Sequence, residues 1–105
     1  MSIYLGNAFA GSMVIGRAEI IKDDIDEETA AIIAKNAKSV IGHQQTADIL
    51  TKRFGYPVAF NRENLRLETG DILVTASANK RLPEGVTELP EGYELVFQRW
   101  EIKSN

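Results

Sequence analysis

Tyr93-Glu94-Leu95-Val96-Phe97-Gln98-Arg99-Trp100-Glu101-Ile102 is the stretch that decides the fold. Read as an extended chain, it puts Tyr93, Leu95 and Phe97 on one side and Val96, Trp100 and Ile102 on the other. A strand that must bury both faces belongs in the interior of a sheet, covered above and below. Upstream, Lys80 to Gly92 holds two Pro-Glu-Gly triplets, at 83–85 and 90–92, and reads as loop. Residues 71–78 read as a further strand. Thr69-Gly70-Asp71 joins it to residues 63–68 in what looks like a hairpin with a short glycine-containing loop.

Helical periodicity appears next. His43, Ala47, Leu50 and Phe54 recur at i, i+4, i+7 and i+11, which is one helical face. This predicts a helix that begins near Ser39 to Gly42 and stops at Gly55, with Tyr56-Pro57 confirming the break. Ahead of Thr29-Ala30-Ala31-Ile32-Ile33-Ala34 stand Asp23, Asp24, Asp26, Glu27 and Glu28. Such acids oppose the dipole of a helix start, and Asp24 with Glu27 has capping-box spacing. Helix initiation explains the cluster better than a metal-binding loop. Residues 2–5 and 18–22 complete the pattern as short strands. The sum is one α/β or α+β domain over residues 1–105: a mixed sheet of about five strands with two main helices packed on it.

Composition narrows the chemistry. The 105 residues include no cysteine and one histidine, so disulfides, thiolate chemistry and cysteine-ligated metals are excluded. A conventional histidine-based metal site is not expected either, and no motif asks for a cofactor. The start of the chain lacks the basic and apolar regions of a signal peptide, and no apolar run is long enough to span a membrane. A soluble cytoplasmic protein is the expectation. The formal net charge of −3 argues against an extended nucleic-acid track, which normally shows as a basic domain. Basic character survives locally at Lys52-Arg53 and Lys80-Arg81, enough for an anion held in a pocket.

Four places could carry chemistry. His43 follows Gly42 at a helix start, where close backbone approach and free amides favour a phosphate. A histidine there can protonate the leaving oxygen of that phosphate. By itself it reads first as a half-buried histidine of an amphipathic helix. Arg81 and Glu84 sit in Lys80-Arg81-Leu82-Pro83-Glu84-Gly85, a loop stiffened by Pro83 that can aim a guanidinium and a carboxylate at one place. Taken alone it reads first as an ordinary turn with a solvated charge pair. Asn7 directly follows a strand, a common position for ligand contacts and for turns alike. Asn61-Arg62 carries the same ambiguity. Ser12 lacks the context of a serine nucleophile.

Together these pieces resemble a known family. Ser39-Val40-Ile41-Gly42-His43-Gln44-Gln45-Thr46-Ala47, Asn61-Arg62, Gly70-Asp71, Arg81-Leu82-Pro83-Glu84-Gly85 and an aromatic-rich terminal strand occur in that order. With Asn7-Ala8-Phe9 near the start, the set is similar to the viral anti-CRISPR ring nucleases that degrade cyclic tetra-adenylate. The resemblance implies a homodimer with the cyclic ligand at its interface and a metal-free RNase-type mechanism driven by the substrate's own ribose 2′-OH. It gives His43 the role of general acid. Arg81 would stabilise the charged phosphorane, and Glu84 would orient the imidazole or assist proton movement. Asn7, Ser12, Gly42, Gln44, Arg62 and Lys80 would contact the substrate. Members of the family often carry a hydroxyl residue shortly after Asn-Ala-Phe, where this chain has Ala10. Ser12, two positions on, is the candidate replacement. Two other readings stand beside this one: a binding module that sequesters a cyclic nucleotide, and a small nucleic-acid-binding regulator.

Overall fold

The structure is a computed structural model and describes residues 2–104. Its elements are β1 (Ile3–Gly6), a 3-10 turn (Gly11–Met13), β2 (Glu19–Ile25), α1 (Glu27–Ala34), β3 (Lys38–Ser39), α2 (Gln44–Phe54), β4 (Ile72–Ala78) and β5 (Leu95–Lys103). The strands form one mixed five-stranded sheet in the order β2-β5-β4-β1-β3. β1 pairs in parallel with β3 and β4, while β5 runs antiparallel to both β4 and β2. This is an α+β fold with two helices, and β5 lies inside the sheet as its two-sided apolar pattern requires.

The two faces of β5 feed two separate cores. Phe97 and Leu95 join Leu5, Val74 and Ala76 beneath both helices, with Ala30 and Ala34 from α1 and Ala47 and Leu50 from α2. Alanines at i and i+4 let α1 sit close to the sheet. On the opposite face Trp100 and Ile102 pack with Leu73, Leu65 and Leu67, and with Phe9 and Met13 from the segment after β1. Phe9 stacks on Trp100 at 4.3 Å between ring centroids, and the Trp100 indole N–H donates to Thr75 Oγ1 at 3.1 Å. Among the described residues no α-helix covers this face. Connecting chain does the work instead.

That explains where the sequence reading and the structure part. Residues 63–68 form no hairpin with β4, because both edges of β4 are taken by β1 and β5. Leu65 and Leu67 serve as cover for the second core, and Leu67 makes one bridge to Val14. Asp23 and Asp24 extend β2 opposite Arg99 and Gln98 of β5. The helix cap is therefore Asp26, whose Oδ1 accepts from Thr29 N–H at 2.8 Å. α2 begins at Gln44, five residues later than the earliest expected start at Ser39, because Lys38–Ser39 pairs with β1 and Ile41 bridges Phe60. Its end is as expected: Gly55 takes a left-handed φ of 79° and its N–H reaches Thr51 O. Among the described residues no helix is long and apolar enough to cross a membrane.

Asp71 closes the far end of the sheet. Only 6% exposed, it accepts from Ser2 N–H on Oδ1 at 3.0 Å and from Glu68 N–H on Oδ2 at 2.9 Å. It thereby ties the entry of β1 to the turn that launches β4. Asp71→Ala is expected to lose about 2–3 kcal/mol, since it strips two donors of a charged acceptor; urea unfolding of the variant measures this. Hydrogen bonds from Thr29 hold the Asp26 carboxyl below the ordinary aspartate range. Its contribution to α1 is therefore complete above that range and is lost as pH falls through the lower folded value. Amide exchange followed through an acid titration should show the α1 protection of the wild type fall with pH, and this pH-dependent step should be missing in Asp26→Asn, whose amide caps without titrating.

Candidate active site

The parallel pair β1 and β4 ends at the same edge of the sheet, and α2 begins there too. A cleft of about 530 Å³ lies at this junction, within the usual size range of ligand sites. Asn7 enters it from the end of β1, and Ala76, Ser77 and Ala78 from the end of β4. His43, Gln45 and Thr46 come from the start of α2, and Lys80, Arg81, Leu82 and Glu84 from the arm that follows β4.

The start of α2 is held open toward this space. His43 is the N-cap, in an extended conformation, and its imidazole makes no capping bond. The first backbone bond back to it comes from Ala47 N–H at 3.1 Å, so the amides before Ala47 have no partner within the helix. His43 is exposed, which removes it from the amphipathic core face where Ala47 and Leu50 are buried. The preceding residues are braced from two sides. Gly42 N–H donates to Asn7 Oδ1 at 2.7 Å. Asn61 donates its own N–H to Ile41 O at 2.9 Å and its Nδ2 to Ser39 O at 2.8 Å. With Asn7 Oδ1 committed, its remaining polar group is a donor amide.

The arm, residues 79–94, is pinned where it leaves and where it returns. Asn79 N–H donates to Glu94 O at 2.9 Å, and Glu94 N–H donates to Asn79 Oδ1 at 3.0 Å. Gln45 Nε2 donates to Pro83 O, tying the tip to α2. Lys52 meets Glu88 at 2.8 Å farther along the helix, and this partner holds the Glu88 carboxyl below the usual range. Gly85 takes a φ of 79°, a conformation that costs a side chain strain and follows directly on Glu84.

Electrostatics separate the two basic dipeptides. Lys52 is neutralised by Glu88, and Arg53 by a forked contact to Glu27 at 2.6 Å. Among the described residues, Lys80, Arg81 and Glu84 have no ion-pair partner within 4.0 Å. The cleft thus carries two unneutralised cations, one free carboxylate, an imidazole and the amides of a helix start. That set suits a phosphate group.

Of the residues expected from the sequence, His43, Arg81, Glu84, Asn7 and Lys80 line this one cleft. Gly42 and Arg62 line a neighbouring hollow of about 170 Å³ that shares Asn7 as its wall. A Cβ on Gly42 would meet Arg62 Cγ at 3.5 Å and Asn7 Oδ1 at 3.9 Å, ordinary contacts, so the fold alone does not require glycine there. Gln44 turns along the helix and donates to Asp48 at 2.9 Å. Ser12 is exposed on the 3-10 turn and lies outside both spaces. Gln45, Thr46 and Ser77 are the polar cleft residues not expected from the sequence. Thr46 is polar and only 8% exposed, on a helix of otherwise legible apolar spacing. A threonine breaking the buried face one turn after His43 was the available signal. Among the described residues no group of three or more His, Asp or Glu side chains is placed to hold a metal ion.

Fold and cleft together define a small α+β protein with a crevice of anion-compatible lining at the carboxyl ends of parallel strands. The family model described as STIV B116-like matches residues 3–96, and the chain belongs to that family. B116 of Sulfolobus turreted icosahedral virus, a solved structure, superposes with a TM-score of 0.86 at 22% identity, covering 96% of this chain and 99% of that one. Twelve solved chains match in all, whereas no curated protein sequence does. At that identity the structural likeness speaks for the fold.

Asn7 is the hinge pin of the site. Asn7→Ala should cost about 1–2 kcal/mol by leaving the part-buried Gly42 N–H unpaired. Asn7→Asp keeps the acceptor and should recover most of the loss, as paired thermal and urea unfolding curves can establish.

Proposed function

We propose that this chain is a metal-independent ring nuclease that cleaves cyclic tetra-adenylate and so switches off type III CRISPR ancillary effectors. The observation that carries the reading is the meeting of His43, at the open start of α2, with Arg81 and Glu84 from the pinned arm in one phosphate-suited cleft. The order of these residues in the sequence supports it through the resemblance to anti-CRISPR ring nucleases. Membership of a family named for a viral protein is consistent with it.

The chemistry needs no nucleophile from the protein. The substrate's 2′-oxygen attacks the adjacent phosphorus and the P–O5′ bond breaks. His43, as imidazolium, gives its proton to the departing 5′-oxygen. The proton lost by the 2′-OH passes to solvent or to Glu84, which otherwise orients the imidazole. Arg81 and the α2 amides stabilise the charge gathering on the phosphorane. Holding the 2′-oxygen in line supplies several kcal/mol of the barrier, within an upper range of about 7–11. Products are linear di-adenylates with 2′,3′-cyclic phosphate ends. A cleft of about 530 Å³ suits a drug-sized ligand, smaller than a ring of four nucleotides. Two copies of the chain sharing the ring across a two-fold axis, each with one scissile phosphate, reconcile the sizes.

A second reading, sequestration without turnover, rests on a specific observation. No hydroxyl from residues 8–12 lines the cleft, since Ala10 stands where related nucleases often have one and Ser12 lies elsewhere. The hydroxyls in the lining belong instead to Thr46 and Ser77. Incubation with a panel of cyclic oligoadenylates in EDTA, followed by mass spectrometry, separates the two. Turnover is expected for the four-membered ring. His43→Ala should lose about 10²–10⁴-fold in rate while still binding the ring. Full activity in that variant would remove His43 from the mechanism, and binding with no linear product from the wild type would leave sequestration.

A further inference from the structure

Tyr93 lines neither cavity, yet it touches both basic residues of the arm. Its hydroxyl donates to Arg81 O at 3.3 Å, and Lys80 Nζ lies over its ring at 4.7 Å from the centroid. A Cβ placed on Gly92 would come within 3.9 Å of the same Nζ, so the ammonium lies beside Gly92 as well as over the Tyr93 ring. Tyr93 is itself fixed: its N–H donates to Pro90 O at 3.1 Å, and the next residue closes the arm through the reciprocal Asn79–Glu94 pair.

We infer that Tyr93 is a positioning residue that presets Lys80 and Arg81 for the phosphate. The physical need is plain. Lys80 and Arg81 are exposed, without carboxylate partners, and their long side chains are costly to order one substrate at a time. The aromatic face attracts the ammonium without neutralising its charge, as a carboxylate would. The hydroxyl meanwhile fixes the main chain from which the guanidinium departs. One side chain thus holds the Lys80 ammonium and the main chain of Arg81, and leaves both charges available. By contrast Lys52 and Arg53, which line no part of the cleft, are held by carboxylates. This inference rests on the nuclease reading for its effect on turnover, though not for the order it assigns to Lys80.

The test uses the full chain and cyclic tetra-adenylate as the probe, with Tyr93→Phe and Tyr93→Leu. In the free protein, the Lys80 ε-methylene protons should be shifted upfield by the ring current in wild type and Tyr93→Phe, and return to ordinary values in Tyr93→Leu. In turnover, Tyr93→Leu should lower kcat by about 10- to 100-fold, the scale of a misplaced group, with KM changed far less. Tyr93→Phe, which keeps the ring and loses only the bond to Arg81 O, should recover most of kcat. Absence of the upfield shift in wild type overturns the inference, as does a Tyr93→Leu enzyme with unchanged kcat, or one whose loss Tyr93→Phe does not rescue. An inactive wild type overturns the nuclease reading instead, and the ring-current shift then decides the order of Lys80 alone.

Discussion

The parallel pairing of β1 with β4 is the constraint on which the rest of this protein depends. A parallel pair finishes both strands at the same edge, so the residues that follow them emerge side by side. Asn7 leaves β1 there and Lys80-Arg81 follow β4 there, although more than 70 positions separate them in the chain. α2 starts at the same edge because Gly42 N–H is captured by Asn7 Oδ1. Shift the β1–β4 register by one residue and every side chain of β1 changes face. Leu5 would leave the core beneath the helices, and Asn7 would lose Gly42.

Around that edge the molecule spends its rigidity unevenly. The segment leading to His43 is laced to Asn7 and Asn61, and the arm is held by Asn79, Glu94, Gln45 and Lys52. The groups that would meet a phosphate are left without ionic partners. This matches a site in which positioning and fixed charge supply the catalytic advantage, since neither works if the charges are quenched or the frame is loose. The second core is the cost of the design, because a sheet face with no helix must be sealed by loops. Phe9 on Trp100 seals it, and in doing so anchors the chain just past Asn7.

Much of the fold was legible because burial leaves a period in the sequence. The two-sided pattern of Leu95 to Ile102 placed β5 inside the sheet, and the spacing of Ala47, Leu50 and Phe54 with Gly55 defined the body and end of α2. Residues 63–68 were misread for a physical reason. Leu65 and Leu67 alternate like a strand, and alternation records a buried face without saying whether another strand or an irregular loop provides the cover. The start of α2 was misjudged likewise, since Ser39 to Gly42 contains nothing that forbids a helix. What stops it is Lys38–Ser39 pairing with β1, a contact that is remote in sequence. At the cleft, Arg81 and Glu84 were visible from the stiff Pro83 loop. Gln45 and Tyr93 were not, since their contacts with Pro83 and with Lys80 and Arg81 are made across the fold.

By itself, then, the sequence determined the kinds of element, the absence of thiol chemistry, and which charged side chains stand in stiff or helix-starting contexts. These follow from local sterics and from the periodicity that burial imposes. Only the tertiary structure decided that the Lys80-Arg81 pair stays unneutralised while Lys52-Arg53 is quenched, and that His43 shares a cleft with Arg81 and Glu84. Charge compensation and convergence depend on distances across the fold, and those are set by strand order and register.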